Sequence, residues 1–181
     1  MGKTINRMPE ATAFARGAFD IVAGIDPDIS RSGFALLDVR TRELRVCTLP
    51  FPELMDRLRE VRDAAAESGR SLRVVVEASY LVRGNWHVSP RDSKAAAAAK
   101  GRSVGMNHQT GALICEMCRH MGIRVSEAAP LPKIWRGRDR KITHEELCHI
   151  AGEVGRTNQD GRDAALLAWV SAGLPLKVKP L

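Results

Sequence analysis

IVAGIDPDISRSGFALLD, residues 21–38, is an apolar run that ends in a carboxylate at Asp26, turns through a polar segment, and resumes as a second apolar run after Gly33. Residues 20–25 and 32–39 are apolar enough for strands, and 43–49 (ELRVCTL) alternates as a half-exposed third. Pro27, Ser30, Ser32, Gly33 and the polar 40–42 segment supply the turns. The stretch therefore opens a three-stranded meander whose first strand carries an acid to its end. An unpaired charge is costly in such a place, so Asp26 calls for a reason.

Beyond the meander, Pro52 sits at a helix start, and Leu54, Leu58, Val61 and Ala65 follow at three- and four-residue intervals, giving an amphipathic helix that ends near Gly69. LRVVVE, 72–77, reads as a strand buried on both faces, and it too ends in a carboxylate, Glu77. The alanine run 95–99 and the apolar positions after it predict a long helix from Asp92 to Met121, weakened around Gly101 and Gly105. IRVSEA, 123–128, is a fifth strand; a polar, cationic connection, 130–141, leads to a helix from Thr143 and another from about Asn158 to Ala172. The order β-β-β-α-β-α-β-α predicts an α/β chain, an α+β mixed sheet covered by helices.

With 181 residues, 44% of them hydrophobic, the chain is long enough for one ordinary core. Residues 1–18 are expected to be a disordered basic leader, or alternatively an organelle presequence, 19–175 a single domain, and 176–181 a short tail. The net charge of +7 favours a polyanionic partner. Four scattered cysteines, Cys47, Cys115, Cys118 and Cys148, show no disulfide framework and point to reduced thiols in a cytoplasm-like compartment. No run reaches the ~18 apolar residues of a membrane span.

Near the C-terminus NQDGRDAALLAW supplies two more acids, Asp160 and Asp163, at the start of an apolar helix. Three apart, they share a helix face. If that helix packs across the ends of the first and fourth strands, four carboxylates converge, and their repulsion demands a cation. Hard oxygen ligands suit Mg²⁺ or Mn²⁺. Taken singly, each acid has a plainer explanation as a strand end, a turn, or a favourable charge at a helix N-terminus; all four in this order favour the metal site.

These residues resemble the RuvC-type Holliday junction resolvases of the RNase H-like superfamily. The resemblance rests on GIDPDISRSGFALLD, VVVEASY, KGRSVGMNHQTGALICEM, PLPKIWRGRDRK and DGRDAALLAW, spread over residues 20 to 172. It implies an RNase H-like fold, a five-stranded mixed sheet flanked by helices. It also implies that Asp26, Glu77, Asp160 and Asp163 hold two Mg²⁺ ions, replaceable by Mn²⁺, for phosphodiester hydrolysis with 5′-phosphate and 3′-hydroxyl products. Tyr80 matches the place where bacterial members often carry an aromatic that inserts at the junction centre. Asp28 departs from the small residue expected after Pro27, and YLVRGNWHVSPRDSK is unlike the bacterial enzymes, which suggests a divergent or phage-type relative in a bacterial or phage-infected cytoplasm. Two symmetric cuts call for two sites related by a two-fold axis, so a homodimer through the long helix is expected, with Gly105 and Gly111 permitting close approach.

Lys133, Arg136, Arg138, Arg140 and Lys141, with Trp135 among them, form a cationic connection suited to phosphates. Arg83, Arg91, Lys94, Lys100 and Arg102 form a second stretch for another DNA arm, and Tyr80 and Trp86 are candidates for base stacking. Cys115-x-x-Cys118 with His120 lacks a second ligand pair and is discounted as a zinc site. The rival functions are a nuclease for RNA–DNA hybrid, flap or fork substrates, a noncatalytic DNA-binding dimer, and a sugar-kinase or actin-like phosphotransferase. For the last the chain is too short to form two lobes.

Overall fold

The computed structural model describes residues 19–82, 89 and 91–176. The leader 1–18, Arg83, Trp86 and residues 177–181 lie outside the described residues. Five strands, β1 Ile21–Asp26, β2 Ser32–Asp38, β3 Leu44–Leu49, β4 Leu72–Glu77 and β5 Val125–Ala128, form one sheet in the order β3-β2-β1-β4-β5. The meander pairs antiparallel, whereas β4 and β5 run parallel to β1. The helices are α1 Phe51–Glu67, α2 Lys94–His120, α3 His144–Ala151 and α4 Gln159–Ser171. This is the five-stranded mixed sheet flanked by helices of the RNase H-like fold.

Strand alternation splits the core into two layers. Ala23, Ile25, Phe34, Val74 and Val76 face α1 and α2, packing against Leu54, Leu58 and Ile114. Val22, Ala35, Leu37 and Val75 face the opposite layer, built from α3, α4 and Ile142. Period two then fixes the direction of the strand-end acids: Asp26 continues the row of Val22 and Gly24, and Glu77 continues the row of Val75. Both lie on the α4 face.

Helix α4 can come this close to the sheet because two strand positions lack side chains. A Cβ on Gly24 would lie 2.2 Å from the Ala164 carbonyl oxygen, and one on Gly33 would lie 2.0 Å from that of Asp160. The helix begins at Asn158, whose side chain accepts from the Gly161 N–H at 2.9 Å, satisfying one of the donors a helix start leaves open.

The long helix expected after β4 is α2, which runs unbroken through Gly101 and Gly105. One boundary needs correction. Strand β5 starts at Val125, because Ile123 donates its N–H to Cys118 at 2.8 Å and closes the end of α2 at Gly122, which has φ +70°. Gly111 packs inside this chain, where an added Cβ would meet Pro27 Cγ at 3.2 Å; its small size serves the contact of α2 with the β1–β2 turn.

Candidate active site

Ile25 pairs with Val76 in the parallel β1–β4 ladder, so the next residues along, Asp26 and Glu77, sit side by side at the sheet's end. From above, α4 brings Asp160 from its first turn and Asp163 three residues on. The four carboxyl groups interact electrostatically. Burial, then repulsion from Glu77, Asp163 and Asp160, holds Asp26 well above the usual carboxylate range, against the attraction of Lys141. Burial pushes Glu77 up to about 7, with Asp163 adding repulsion and Lys141 and Lys133 opposing it. Asp160 is also raised, by burial and then by repulsion from Asp28 and Asp163.

Lys141 supplies the cation on this face. Its Nζ donates to Asp163 Oδ2 at 2.7 Å. Burial disfavours its charge, but the bond to Asp163 and the attraction of Asp163, Asp26 and Asp160 prevail, and the ammonium is held above its ordinary pKa. The other oxygen of Asp163 accepts from Gln159 Nε2 at 2.8 Å.

The chemistry of this donor set fits a hard divalent ion: every candidate donor is a carboxylate oxygen, and burial and mutual repulsion hold three of the acids above their ordinary pKa. Among the described residues, no three His, Cys, Asp or Glu side chains are already grouped as an ion would require. With Lys141 and Gln159 on Asp163, the carboxylates are neighbours but are not drawn onto a common centre.

The turn between β1 and β2 is shaped by the residue that departs from the resembled pattern. Asp28 Oδ1 accepts from the Ser30 N–H at 2.8 Å, the Ser30 hydroxyl at 2.6 Å and the Arg31 N–H at 3.2 Å. Its carboxylate folds the turn. The Ile29 N–H donates to Asn107 Oδ1 at 3.1 Å, tying the turn to α2.

The predicted DNA contacts divide. Tyr80 lies in a 3₁₀ turn, Ser79–Leu81, 39% exposed, edge-on to His108 with ring centroids 5.7 Å apart. Burial and a hydrogen bond to Glu127 push its hydroxyl up to about 12, and Glu127 is also paired with Arg119 at 3.0 Å. Lys133 is exposed and near enough to Glu77 to oppose the rise of its pKa, and Arg136, Arg138 and Arg140 are exposed on the same connection. Lys94, Lys100 and Arg102 line the start of α2, with Lys100 paired to Asp92 at 2.8 Å. Trp135, among the cations of that connection, is a core residue, 7% exposed against α3 and α4.

Sequence reasoning placed Lys141 among the phosphate contacts and overlooked Gln159. The spacing of Gln159 four residues before Asp163 on one helix was the available signal.

No protein-family model matches the chain, and no curated protein matches it. Solved structures do resemble it. Thermus thermophilus RuvC in complex with a Holliday junction substrate is 19% identical, with 89% of this chain and 99% of that one aligned at a TM-score of 0.46. Fowlpox virus resolvase with Holliday junction DNA is 12% identical over 84% and 97%, at 0.39. The yeast mitochondrial Holliday junction resolvase is 10% identical over 90% and 82%, at 0.32. These are likenesses of fold at a distance; the functional case rests on this chain's own residues. Among the described residues no helix is long and apolar enough to cross a membrane.

Proposed function

We propose that this chain is a metal-dependent, structure-selective endodeoxyribonuclease that cuts four-way junctions and other branched DNA and acts as a homodimer. The observation that carries the reading is the adjacency of Asp26 and Glu77 on parallel strands, with Asp160 and Asp163 of α4 near enough for repulsion to raise Asp26; a divalent ion is what such a set of carboxylates takes up. Two divalent ions held there by the four carboxylates would supply a hydroxide nucleophile and neutralise the leaving 3′ oxygen.

The chain's own residues account for the rest. Strands β1 and β4 fix two of the acids on rigid backbone, and the close approach at Gly24 and Gly33 holds α4 in register with them. Lys133 and Lys141 set positive charge against the same face, where a phosphodiester would lie, and the exposed Arg138 and Arg140 of the same connection would meet further phosphates. Tyr80, partly exposed next to the end of β4, would stack on an unpaired base.

Cleavage of end-labelled four-way junction, three-way junction, linear duplex and RNA–DNA hybrid, with Mg²⁺, Mn²⁺ or EDTA, tests this. Paired symmetric nicks in the four-way junction, lost in EDTA and in Asp26→Asn, are expected. Preference for the hybrid would overturn the substrate, and absence of cleavage on every substrate would overturn the nuclease.

A further inference from the structure

We propose that Lys141 is the resident counter-ion of the acidic site and must leave Asp163 before a divalent cation is fully coordinated, so that this side chain gates metal loading. The inference rests on the nuclease reading above and deepens it.

Both oxygens of Asp163 are already in use. Lys141 Nζ lies 2.7 Å from Oδ2 and Gln159 Nε2 lies 2.8 Å from Oδ1. Gln159 is itself held by Arg162 Nη2 at 2.9 Å, and Arg162 grips the carbonyls of Ile142 and Thr157, each at 3.0 Å. The residue after Lys141 is thereby clamped to α4.

The turn before Lys141 is equally constrained. Asp139 and Arg140 have φ of 55° and 58°, the left-handed region that residues other than glycine seldom enter. An added Cβ on Gly137 would lie 2.4 Å from the Lys141 carbonyl oxygen. Displaying a basic side chain to solvent needs no such turn: Arg138, in the same segment, has a side chain 97% exposed. The strained turn and the clamp together set one lysine, its side chain 33% exposed, against the acids.

With the backbone fixed on both sides, the moving part is the side chain. Lysine suits this, being a point charge on a flexible stem rather than a planar fork that would lock onto a carboxylate. One ammonium offsets four carboxylates only in part, so it holds the site without satisfying it. Once displaced, it remains beside the site, where a phosphate oxygen is its next partner. Metal and DNA therefore favour each other's binding through this residue, by linkage.

Titration of the full chain with Mn²⁺ alone, in isothermal calorimetry without DNA, tests the gate. Lys141→Met should bind Mn²⁺ about tenfold more tightly than wild type, the size expected when one charge-assisted hydrogen bond need not be given up. Lys141→Arg, which keeps the charge, should show no gain. Equal or weaker binding by Lys141→Met overturns the gate while sparing the metal site. No Mn²⁺ binding by either protein overturns both.

A second measurement needs no variant. Reductive methylation of the wild-type protein, read by peptide mass spectrometry, should label Lys141 severalfold faster with Mg²⁺ than with EDTA, with Lys133 as the internal reference. Unchanged or slower labelling of Lys141 contradicts the proposal.

Discussion

Glu77 shows how one carboxyl ties stability to function. Its folded pKa of about 7 lies above the ordinary 4.5, so between those values the folded chain binds more protons than the unfolded one, and metal-free stability falls as pH rises through that window. Below about pH 4.5 the penalty is absent; above 7 it is complete. Glu77→Gln is therefore expected to stabilise the metal-free protein at pH 8, on the order of 1–3 kcal/mol, with little change at pH 4, as read by urea unfolding. Metal must displace the same proton, so Mn²⁺ affinity should rise with pH through about 7 in wild type and depend less steeply on pH in Glu77→Gln, where the raised Asp26 and Asp160 remain. Asp26 and Glu77 were legible in the sequence because a strand's end is marked by where its apolar run stops. The bond of Asp163 to Lys141 was not, since it joins residues 22 apart through side-chain rotamers that no periodicity encodes.

The elements were legible wherever a single period ran long enough. The row Leu54, Leu58, Val61, Ala65 is the buried face of α1, and LRVVVE is β4 in full. The start of β5 was not legible, because Ile123 has a strand former's side chain but spends its N–H on capping α2. Nor was the closeness of α4 to the sheet, which depends on two glycines whose missing side chains matter only once the layers are stacked. Gly24→Ala puts a Cβ against the backbone of α4, so it should lower stability by about 1–3 kcal/mol and reduce metal affinity by displacing Asp160 and Asp163; denaturant unfolding and Mn²⁺ titration check the two together. Thr143 and Glu146 form a reciprocal cap on α3, with the Thr143 hydroxyl accepting at 3.2 Å and the Glu146 carboxylate at 3.0 Å. Thr143→Ala should cost about 1 kcal/mol, measured in the same unfolding assay, without changing metal affinity, because α3 carries no site acid.

Across the whole molecule, the sheet order β3-β2-β1-β4-β5 follows from an antiparallel meander continued by two parallel crossovers, a topology implied by the order of elements once the first strand is placed in the middle. Charge is distributed unequally around that frame. The acids gather at one end of the central strands with Lys133 and Lys141 acting on them, and Arg138 and Arg140 are exposed on the same connection, in a chain of net charge +7. Binding of branched DNA in EDTA should weaken steeply with salt, and Arg138→Ala with Arg140→Ala should lower the log–log slope by about 0.9 for each phosphate left without its cation; a slope unchanged in the double variant would remove that segment from the DNA path. The dimer expected through α2 is checked by sedimentation at micromolar concentration, where a monomer would count against paired symmetric cutting.

The central claim, that four carboxylates from β1, β4 and α4 form one metal centre, is tested most directly by anomalous diffraction from crystals of the wild-type chain soaked in Mn²⁺. Peaks enclosed by Asp26, Glu77, Asp160 and Asp163, absent from Asp26→Asn crystals treated identically, are the predicted result. Ordered density for the four side chains with no anomalous peak among them, or Mn²⁺ bound only elsewhere, would contradict it.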